Sequence, residues 1–280
     1  FCSNDYLGFA RSQSLRQSFL SSLFNYPHFR MGSSGSRLIA GNDSFTEQLE
    51  EDIADFHQAE AALIYNSGYD ANVGLFSCLP QRGDTIISDE YIHASIIDGI
   101  RLSHAHRFVF RHNDMNSLEQ KLKLAKGRIF IAVESLYSMD GDEAPLVQIA
   151  ELSKKYNAAL IVDEAHATGI FGNKGKGLVE ELGLCDQVFA RIITFGKALG
   201  THGAVILGSK QLRSYLINFS RSFIYSTAAG FLSHLAVKIA YDLLKEQNHQ
   251  SEINERIALF RNTIKPQIRL KKSRSPIQII

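Results

Sequence analysis

The sequence predicts an α/β fold in which helices flank a mostly parallel, doubly wound sheet of seven strands. Apolar runs typical of buried strands alternate with amphipathic helical stretches through most of the 280 residues. Hydrophobic residues make up 45% of the chain and charged residues 21%, a globular composition that excludes disorder and a coiled coil. The net charge of +1 gives no overall field that would favour nucleic acid as a partner.

The first clear helix is predicted to begin at Ser44. Ser44 and Glu47 have the S-x-x-E spacing of a capping box. An apolar stripe at helical spacing follows in Phe45, Leu49, Ile53 and Phe56. Strands are predicted at residues 61–65, 85–88, 107–110, 128–133, 158–162, 188–194 and 204–207. In such a sheet the functional residues lie in the loops at the carboxyl ends of the strands.

The C-terminal part of the chain has a different pattern. From about Tyr225 the sequence predicts two long helical stretches and a weak strand near residues 277–280. We expect an N-terminal segment at 1–43, a large domain at 44–227, and linking helices at 228–280 that begin an incomplete α+β domain. Because the chain opens at Phe1 without Met and closes on an apolar run, we expect it to be a piece of a longer protein.

The cysteines and the apolar runs bear on location. Cys2, Cys78 and Cys185 are odd in number and widely spaced, which fits neither a disulfide framework nor paired metal ligands. A reducing cytoplasm is the simpler inference. The longest apolar runs are far shorter than the ~20 residues that span a bilayer. We therefore expect a cytoplasmic protein without a membrane partner.

The turn at residues 66–72 leads from a predicted strand into a predicted helix. It offers backbone amides and the positive end of a helix dipole to an anion such as a phosphate. An ordinary turn is the equal alternative. No P-loop occurs, since Gly196 and Lys197 are followed by Ala198 and lack the upstream glycine.

The predicted strand at 158–162 ends in Asp163, and His166 follows three residues later. The letters DEAH also name a helicase box, but a helicase needs the missing P-loop, so we exclude that function. A metal site formed by Asp163, His166 and either His93 or Asp89 stays open on ligand chemistry alone. It has no characteristic ligand spacing.

Lys197 lies just beyond an apolar strand, between small and apolar residues. Desolvation there would lower the pKa of the amine and favour Schiff-base chemistry. Asp163 precedes it by one strand and one crossover. This order suits pyridoxal phosphate, for which an acid pairs with the pyridinium nitrogen, a lysine holds the aldehyde and a turn binds the phosphate.

Six motifs in order resemble the α-oxoamine synthases, which are fold-type I pyridoxal-phosphate enzymes. They are SNDYLG (3–8), GSSGSR (32–37), HAS (93–95), SMDGD (138–142), DEAH (163–166) and TFGK (194–197). The similarity covers essentially the whole chain. It implies a reaction that joins an amino acid to an acyl-CoA thioester with loss of carbon dioxide.

The resemblance also implies a role for each matching residue. Lys197 would bind the cofactor aldehyde and move the proton at the substrate's Cα, Asp163 would pair with the ring nitrogen, and His93 would stack on the ring. The remaining cofactor-binding residues would be Ser138 and His166 at the phenolic oxygen, and Gly68, Tyr69, Thr194 and a second subunit's Ser226 or Thr227 at the phosphate. Asn4, in the N-terminal segment, would bind substrate. A homodimer with shared active sites follows from the resemblance alone, and no metal is expected.

The substrates are predicted from finer similarities within the family. Residues 32–37, 194–204 and 225–227 look most like the member that condenses L-alanine with pimeloyl-CoA, or pimeloyl carrier protein, in biotin synthesis. Residues 69–72 and 95–99 favour an alternative that joins glycine to acetyl-CoA. A non-catalytic subunit of a heteromeric enzyme is a third hypothesis. The surface histidines His104, His106 and His112 are expected to be solvated.

Overall fold

The computed structural model describes residues 3–246, 249–264 and 268–280. The strands are β1 (Ala61–Tyr65), β2 (Thr85–Asp89), β3 (His106–Phe110), β4 (Ile129–Glu134), β5 (Ala158–Asp163), β6 (Ala190–Thr194) and β7 (Ala204–Gly208). The α-helices are α1 (Gln13–Leu23), α2 (Ser44–Phe56), α3 (Gly68–Cys78), α4 (Ala94–Leu102), α5 (Met115–Leu124), α6 (Leu146–Lys155), α7 (Leu178–Glu181), α8 (Lys210–Phe219), α9 (Arg221–Ile224), α10 (Phe231–Glu246) and α11 (His249–Thr263).

The strands form one sheet in the order β1-β7-β6-β5-β4-β2-β3. Strands β3, β2, β4, β5 and β6 pair in parallel, and β7 runs antiparallel to both of its neighbours. The prediction of a mostly parallel seven-stranded sheet is confirmed. Every strand except β7 therefore ends at the same edge, where the loops into the helices begin.

Apart from the largely exposed edge strand β3, the sheet is buried on both faces, and its residues alternate between two layers of core. In β5, Leu160 and Val162 pack into the layer under α5 and α6, whereas Ile161 packs into the layer under α3, α4 and α8. In β1, Ile64 packs against α2 and α10 on one face of the sheet, and Leu63 packs against α3 on the other. Helices on both faces explain why these strands read as continuous apolar runs.

Helix α2 starts where the sequence predicts, but its cap is one residue earlier. The N-cap is Asp43, whose Oδ1 accepts the backbone N–H of Thr46 at 2.7 Å. Ser44 is the first helical residue, so the predicted Ser44–Glu47 capping box is wrong. Asp43 has the extended backbone of an N-cap, and its carboxylate is a good acceptor for the free first-turn amides.

Helices α10 and α11 confirm the two helical stretches predicted after Tyr225. The weak strand predicted at 277–280 is wrong, because residues 268–280 form no strand in the described part of the chain. The backbone N–H of Lys271 bonds to the carbonyl of Ile279 at 2.9 Å, and no ladder to the main sheet develops. The three-part division at 43/44 and 227/228 stays a prediction.

Two remaining sequence features can be located. Cys78 and Cys185 are free thiols, and Cys2 lies outside the described residues. Among the described helices, none is long and apolar enough to cross a membrane.

Candidate active site

The carboxyl edge of the sheet brings together the polar residues that end its central strands. Glu134 ends β4, Asp163 ends β5 and Thr194 ends β6. Lys197 follows Thr194 in the loop to β7, and helix α3 begins just after β1. Parallel pairing places Glu134 opposite Asp163 in register, which explains why these groups share one site.

Asp163 is fixed by two N–H donors. One carboxylate oxygen accepts the side-chain amide of Asn72 at 2.9 Å, and the other accepts the backbone N–H of Ala165 at 2.9 Å. Asn72 also donates to the hydroxyl of Ser95 at 3.0 Å. Because Asn72 and Ser95 are buried, the orientation of the Asp163 carboxylate is set by packed helices rather than by water.

Lys197 and His166 are in direct contact. Lys197 Nζ lies 2.7 Å from His166 Nε2, and the other ring nitrogen, Nδ1, lies 2.8 Å from the hydroxyl of Tyr6. Tyr6 belongs to the N-terminal segment, so that segment reaches the site. The structure therefore joins Lys197, His166 and Tyr6 in one line of hydrogen bonds.

Burial shifts three pKa values at this edge towards the uncharged form. It lowers the pKa of the Lys197 amine, although Asp163 and Glu134 act in the opposite direction. Burial, with the positive charge of Lys197, lowers the pKa of His166 to about 3. Burial, with the negative charge of Asp163, raises the pKa of Glu134 to about 8. Perturbed titratable groups that meet at a strand edge are typical of a functional site.

The start of helix α3 forms a cradle for an anion. Ser67 caps the helix by accepting the backbone N–H of Asp70 at 3.0 Å. The amides of Gly68 and Tyr69 have no acceptor among the described residues. A Cβ placed on Gly68 would lie 3.7 Å from Thr194 Oγ1, so the hydroxyl of Thr194 adjoins these amides. Two free N–H groups, a hydroxyl and a helix dipole suit a phosphate.

Two predicted site residues have local roles as well. His93 is the N-cap of α4, and its Nδ1 accepts the backbone N–H of Ser95 at 3.2 Å. The backbone of His93 acts to lower the pKa of Glu134, so the exposed His93 lies near that carboxyl. Ser138 is partly exposed in the turn after β4. The stacking of His93 and the bond from Ser138 to a cofactor stay predictions.

The other predicted residues lie at the borders of the site. Asn4 is exposed, and its side-chain oxygen accepts the hydroxyl of Tyr6 at 3.2 Å. Ser226 and Thr227 line a cavity beside Asn66, whose side chain donates to the Thr227 carbonyl at 2.8 Å. They therefore adjoin the end of β1 in their own chain, and their contribution to a second subunit stays a prediction.

His112 is not a solvated surface residue. Its Nδ1 lies 2.9 Å from Asp89 and its Nε2 2.8 Å from Asp142, and Tyr91 stacks on the ring. Burial alone would lower the pKa of His112, but the hydrogen bonds and charges of the two carboxylates outweigh it and raise that pKa. The expectation of solvation is wrong, because the two carboxylates are brought to His112 from distant parts of the sequence.

The metal alternative receives no support from the side-chain arrangement. Within the described ranges, no group of three or more His, Cys, Asp or Glu side chains is placed to hold a metal ion. Both oxygens of Asp163 already accept N–H groups.

Three participants were missed in the sequence. In the sequence, Glu134 follows the predicted strand at 128–133, Asn72 is the last residue of the turn at 66–72, and Tyr6 is one letter of the SNDYLG motif. Strand register could have drawn attention to Glu134, since it ends β4 as Asp163 ends β5. No local signal links Tyr6 to His166, which is 160 residues away.

Residues 1–277 match the model of the class I and II aminotransferases. The chain belongs to that family. An 8-amino-7-oxononanoate synthase of Emericella nidulans is 46% identical, over 93% of this chain and 68% of its own length. An 8-amino-7-oxononanoate synthase of Lysinibacillus sphaericus is 42% identical, over 98% of this chain and 69% of its own length. The aminoacyl transferase sphA of Byssochlamys spectabilis is 42% identical, over 93% of this chain and 59% of its own length. Against these three, the chain spans between 59% and 69% of the relative's length.

Solved structures of the class agree on the fold. Serine palmitoyltransferase of Sphingomonas wittichii has a TM-score of 0.89 at 28% identity, over 99% of this chain and 70% of its own. An 8-amino-7-oxononanoate synthase of Francisella tularensis has a TM-score of 0.79 at 30% identity, over 94% of this chain and 74% of its own. The resemblance to α-oxoamine synthases and the fold-type I prediction are confirmed. Relatives place the chain among the acyltransferases of the aminotransferase class.

The residues of this chain fit pyridoxal phosphate. A serine palmitoyltransferase solved with PLP bound has a TM-score of 0.86 at 27% identity, over 98% of this chain and 71% of its own. In this chain, the buried Lys197 amine suits an aldehyde, the fixed carboxylate of Asp163 suits a pyridinium nitrogen, and the free amides of α3 suit a phosphate. Pyridoxal phosphate is the cofactor.

Proposed function

We propose that the chain catalyses the decarboxylative condensation of an amino acid with an acyl thioester. The preferred substrates are L-alanine and pimeloyl-CoA, or pimeloyl carrier protein, and the products are 8-amino-7-oxononanoate, coenzyme A or the free carrier, and carbon dioxide, in biotin synthesis. The observation that supports the reaction class is the contact of Lys197 with His166 beside Asp163 at the carboxyl edge of the sheet. The names of the relatives from Emericella nidulans and Lysinibacillus sphaericus support the choice of substrates.

The residues of the chain would perform distinct tasks. When bound, pyridoxal phosphate supplies an aldehyde and a ring that withdraws electrons from the substrate's Cα. The lowered pKa of Lys197 increases the neutral fraction of its amine, which can then act as a nucleophile and accept a proton at Cα. Asp163 would hold a proton on the ring nitrogen. His166 and Ser138 would bind the phenolic oxygen.

Binding of the phosphate would use Gly68, Tyr69 and Thr194. Their amides and hydroxyl lie together at the start of α3, where the helix dipole favours an anion. Ser226 or Thr227 of a second copy would complete this subsite. We therefore also propose a homodimer, located in the cytoplasm, in which Asn4 binds the amino-acid substrate.

Two alternatives have different consequences. Glycine with acetyl-CoA is favoured by residues 69–72 and 95–99, and the test below separates it from the alanine reaction. A non-catalytic subunit has no chemical need for a buried lysine in contact with a neutral histidine. The lowered pKa values of Lys197 and His166 therefore favour the enzyme.

The test begins with the visible absorption spectrum of the purified chain after addition of pyridoxal phosphate. A Schiff-base band should appear, and borohydride followed by peptide mass spectrometry should locate the cofactor on Lys197. L-alanine should perturb the band more than glycine does. Lys197→Ala should abolish the band, whereas Lys210→Ala, which removes an exposed lysine, should keep it.

Substrate turnover tests the rest of the proposal. Release of thiol from pimeloyl-CoA should require L-alanine and intact Lys197. Glycine-dependent release from acetyl-CoA would instead establish the alternative. A band or a borohydride adduct on another lysine, or turnover that survives Lys197→Ala, would contradict the assignment.

A further inference from the structure

Four side chains form a continuous hydrogen-bonded line that begins in the N-terminal segment and ends at Lys197. The hydroxyl of Tyr6 lies 3.2 Å from the side-chain oxygen of Asn4 and 2.8 Å from His166 Nδ1. His166 Nε2 lies 2.7 Å from Lys197 Nζ. Tyr6 and His166 each have a partner on both sides, and the hydroxyl of Tyr6 can exchange its donor and acceptor roles simply by rotating its O–H bond.

The positions of the protons follow from counting donors. His166 is neutral, since burial lowers its pKa to about 3, and a neutral imidazole has one N–H and one acceptor nitrogen. If the amine of Lys197 donates to Nε2, then Nδ1 must hold the ring proton and donate to the oxygen of Tyr6. The proton of Tyr6 then goes to the oxygen of Asn4. Every link has one donor and one acceptor in this arrangement.

Cofactor binding demands the opposite tautomer. An anionic oxygen beside Nε2 needs an N–H from that nitrogen, so Nδ1 must become an acceptor. Tyr6 can meet this demand by turning its O–H from Asn4 to His166. A residue that only donates or only accepts would satisfy one of the two states and oppose the other.

We propose that Tyr6 is a positioning residue that sets the tautomer of His166, so that one histidine accepts from Lys197 in the free chain and donates to an anionic oxygen of the bound cofactor. The donation from His166 to the cofactor rests on the proposed function. Tyr6 suits the task because burial raises the pKa of its hydroxyl well above its usual range, which keeps the proton on the oxygen. The ring packs against the core cluster around β4 and β5, so its position is fixed.

The test uses the ¹⁵N spectrum of histidine-labelled protein, with His166 assigned from a His166→Gln sample. In the cofactor-free chain we expect the Nδ1–H tautomer, and after addition of pyridoxal phosphate the Nε2–H tautomer. Tyr6→Phe keeps the ring and removes only the hydroxyl. It should shift the cofactor-free chain away from the Nδ1–H tautomer, because the proton on Nδ1 then has no acceptor.

Two further variants make the result specific. Asn4→Leu removes the acceptor at the end of the line and leaves Tyr6 in place, so the tyrosine proton should turn to His166 and favour Nε2–H even without cofactor. This variant decides the question if Tyr6→Phe fails to fold. Tyr156→Phe removes a hydroxyl that bonds to Glu119 at 3.0 Å, at the other end of β5, and should leave the His166 spectrum unchanged.

An unchanged His166 tautomer in both Tyr6→Phe and Asn4→Leu would overturn the proposal. So would an Nδ1–H tautomer in wild type that persists with cofactor bound to Lys197. If wild type takes up no pyridoxal phosphate, the proposed function fails and the switching role fails with it. The cofactor-free spectra still decide whether Tyr6 sets the tautomer, so the two failures are distinguishable.

Discussion

Removal of the Glu50 carboxylate is expected to destabilise the chain by about 3–5 kcal/mol. Glu50 belongs to α2, is 2% exposed, and contacts β1 through Ile64 and α8 through Arg213. One of its oxygens accepts the backbone N–H of Ile64 at 2.8 Å and an N–H of Arg37. The other accepts Arg213 at 2.8 Å and the second Arg37 nitrogen at 3.3 Å. The carboxylate of Glu50 therefore connects α2 to β1, to α8 and to the short helical turn that begins at Arg37.

The size of the effect depends mainly on Arg37. Its side chain is 9% exposed, so Glu50→Ala leaves a buried guanidinium without a countercharge, which costs about 3–5 kcal/mol. Arg213 is 33% exposed, and water can replace most of its ion pair, which is worth about 0–1 kcal/mol. Arg213→Ala should therefore be much milder than Glu50→Ala.

Urea unfolding followed by circular dichroism measures these differences. Glu51→Ala is the matched control, because Glu51 is the exposed neighbour on the same helix. The double variant Glu50→Leu with Arg37→Leu should recover part of the loss, since it removes both charges. A Glu50→Ala free energy of unfolding within about 1 kcal/mol of wild type would refute this account of the buried pair.

Two further predictions concern stability. His112→Gln should destabilise the chain most below pH ~6.5, because Asp89 and Asp142 raise the pKa of His112 in the folded state. The stability that the charged His112 contributes is complete below its unfolded-state pKa and is lost as the pH rises through its folded-state pKa. Urea unfolding from pH 5 to 9 measures this difference, with His104→Gln as the control because His104 is exposed. A loss of stability in His112→Gln that grows as the pH rises would contradict the prediction. Gly99→Ala should cost about 1–3 kcal/mol, because its Cβ would lie 2.9 Å from the main chain of α3. Equal or higher stability in thermal unfolding would contradict that contact.

Most strands could be predicted from the sequence because they are buried on both faces, whereas the edge strand β3 is largely exposed. The run 158–162 has no polar residue to disturb it, and the structure extends it by one residue to Asp163. The cap of α2 was misplaced by one residue because Asp43 and Ser44 are both good N-caps, and only the backbone distinguishes them. The apolar run at 277–280 failed as a strand because strand formation requires a partner that local sequence does not specify.

The site could be predicted only in part for a similar reason. Asp163 and Lys197 follow strands, so sheet topology brings their loops to one edge. His112 and Tyr6 depend instead on contacts with Asp142 and His166, which are 30 and 160 residues away. Such pairs leave no periodicity in the chain, and their environment cannot be obtained from residue type alone.

The electrostatics of the edge explain why a charged cofactor would bind there. Burial moves Lys197, His166 and Glu134 towards their neutral forms, whereas Asp163 is held by two N–H donors. A positive group ~4 Å from that carboxylate gains about 4 kcal/mol at an effective dielectric constant of ~20, against about 1 kcal/mol in water. Under the proposed function, the desolvation that lowers the pKa of the Lys197 amine would therefore also strengthen the hold of Asp163 on a protonated ring. The proposed nucleophile, Lys197, and the proposed pairing of Asp163 with the cofactor ring would both depend on one buried strand edge, so a change that admits water there should weaken both together.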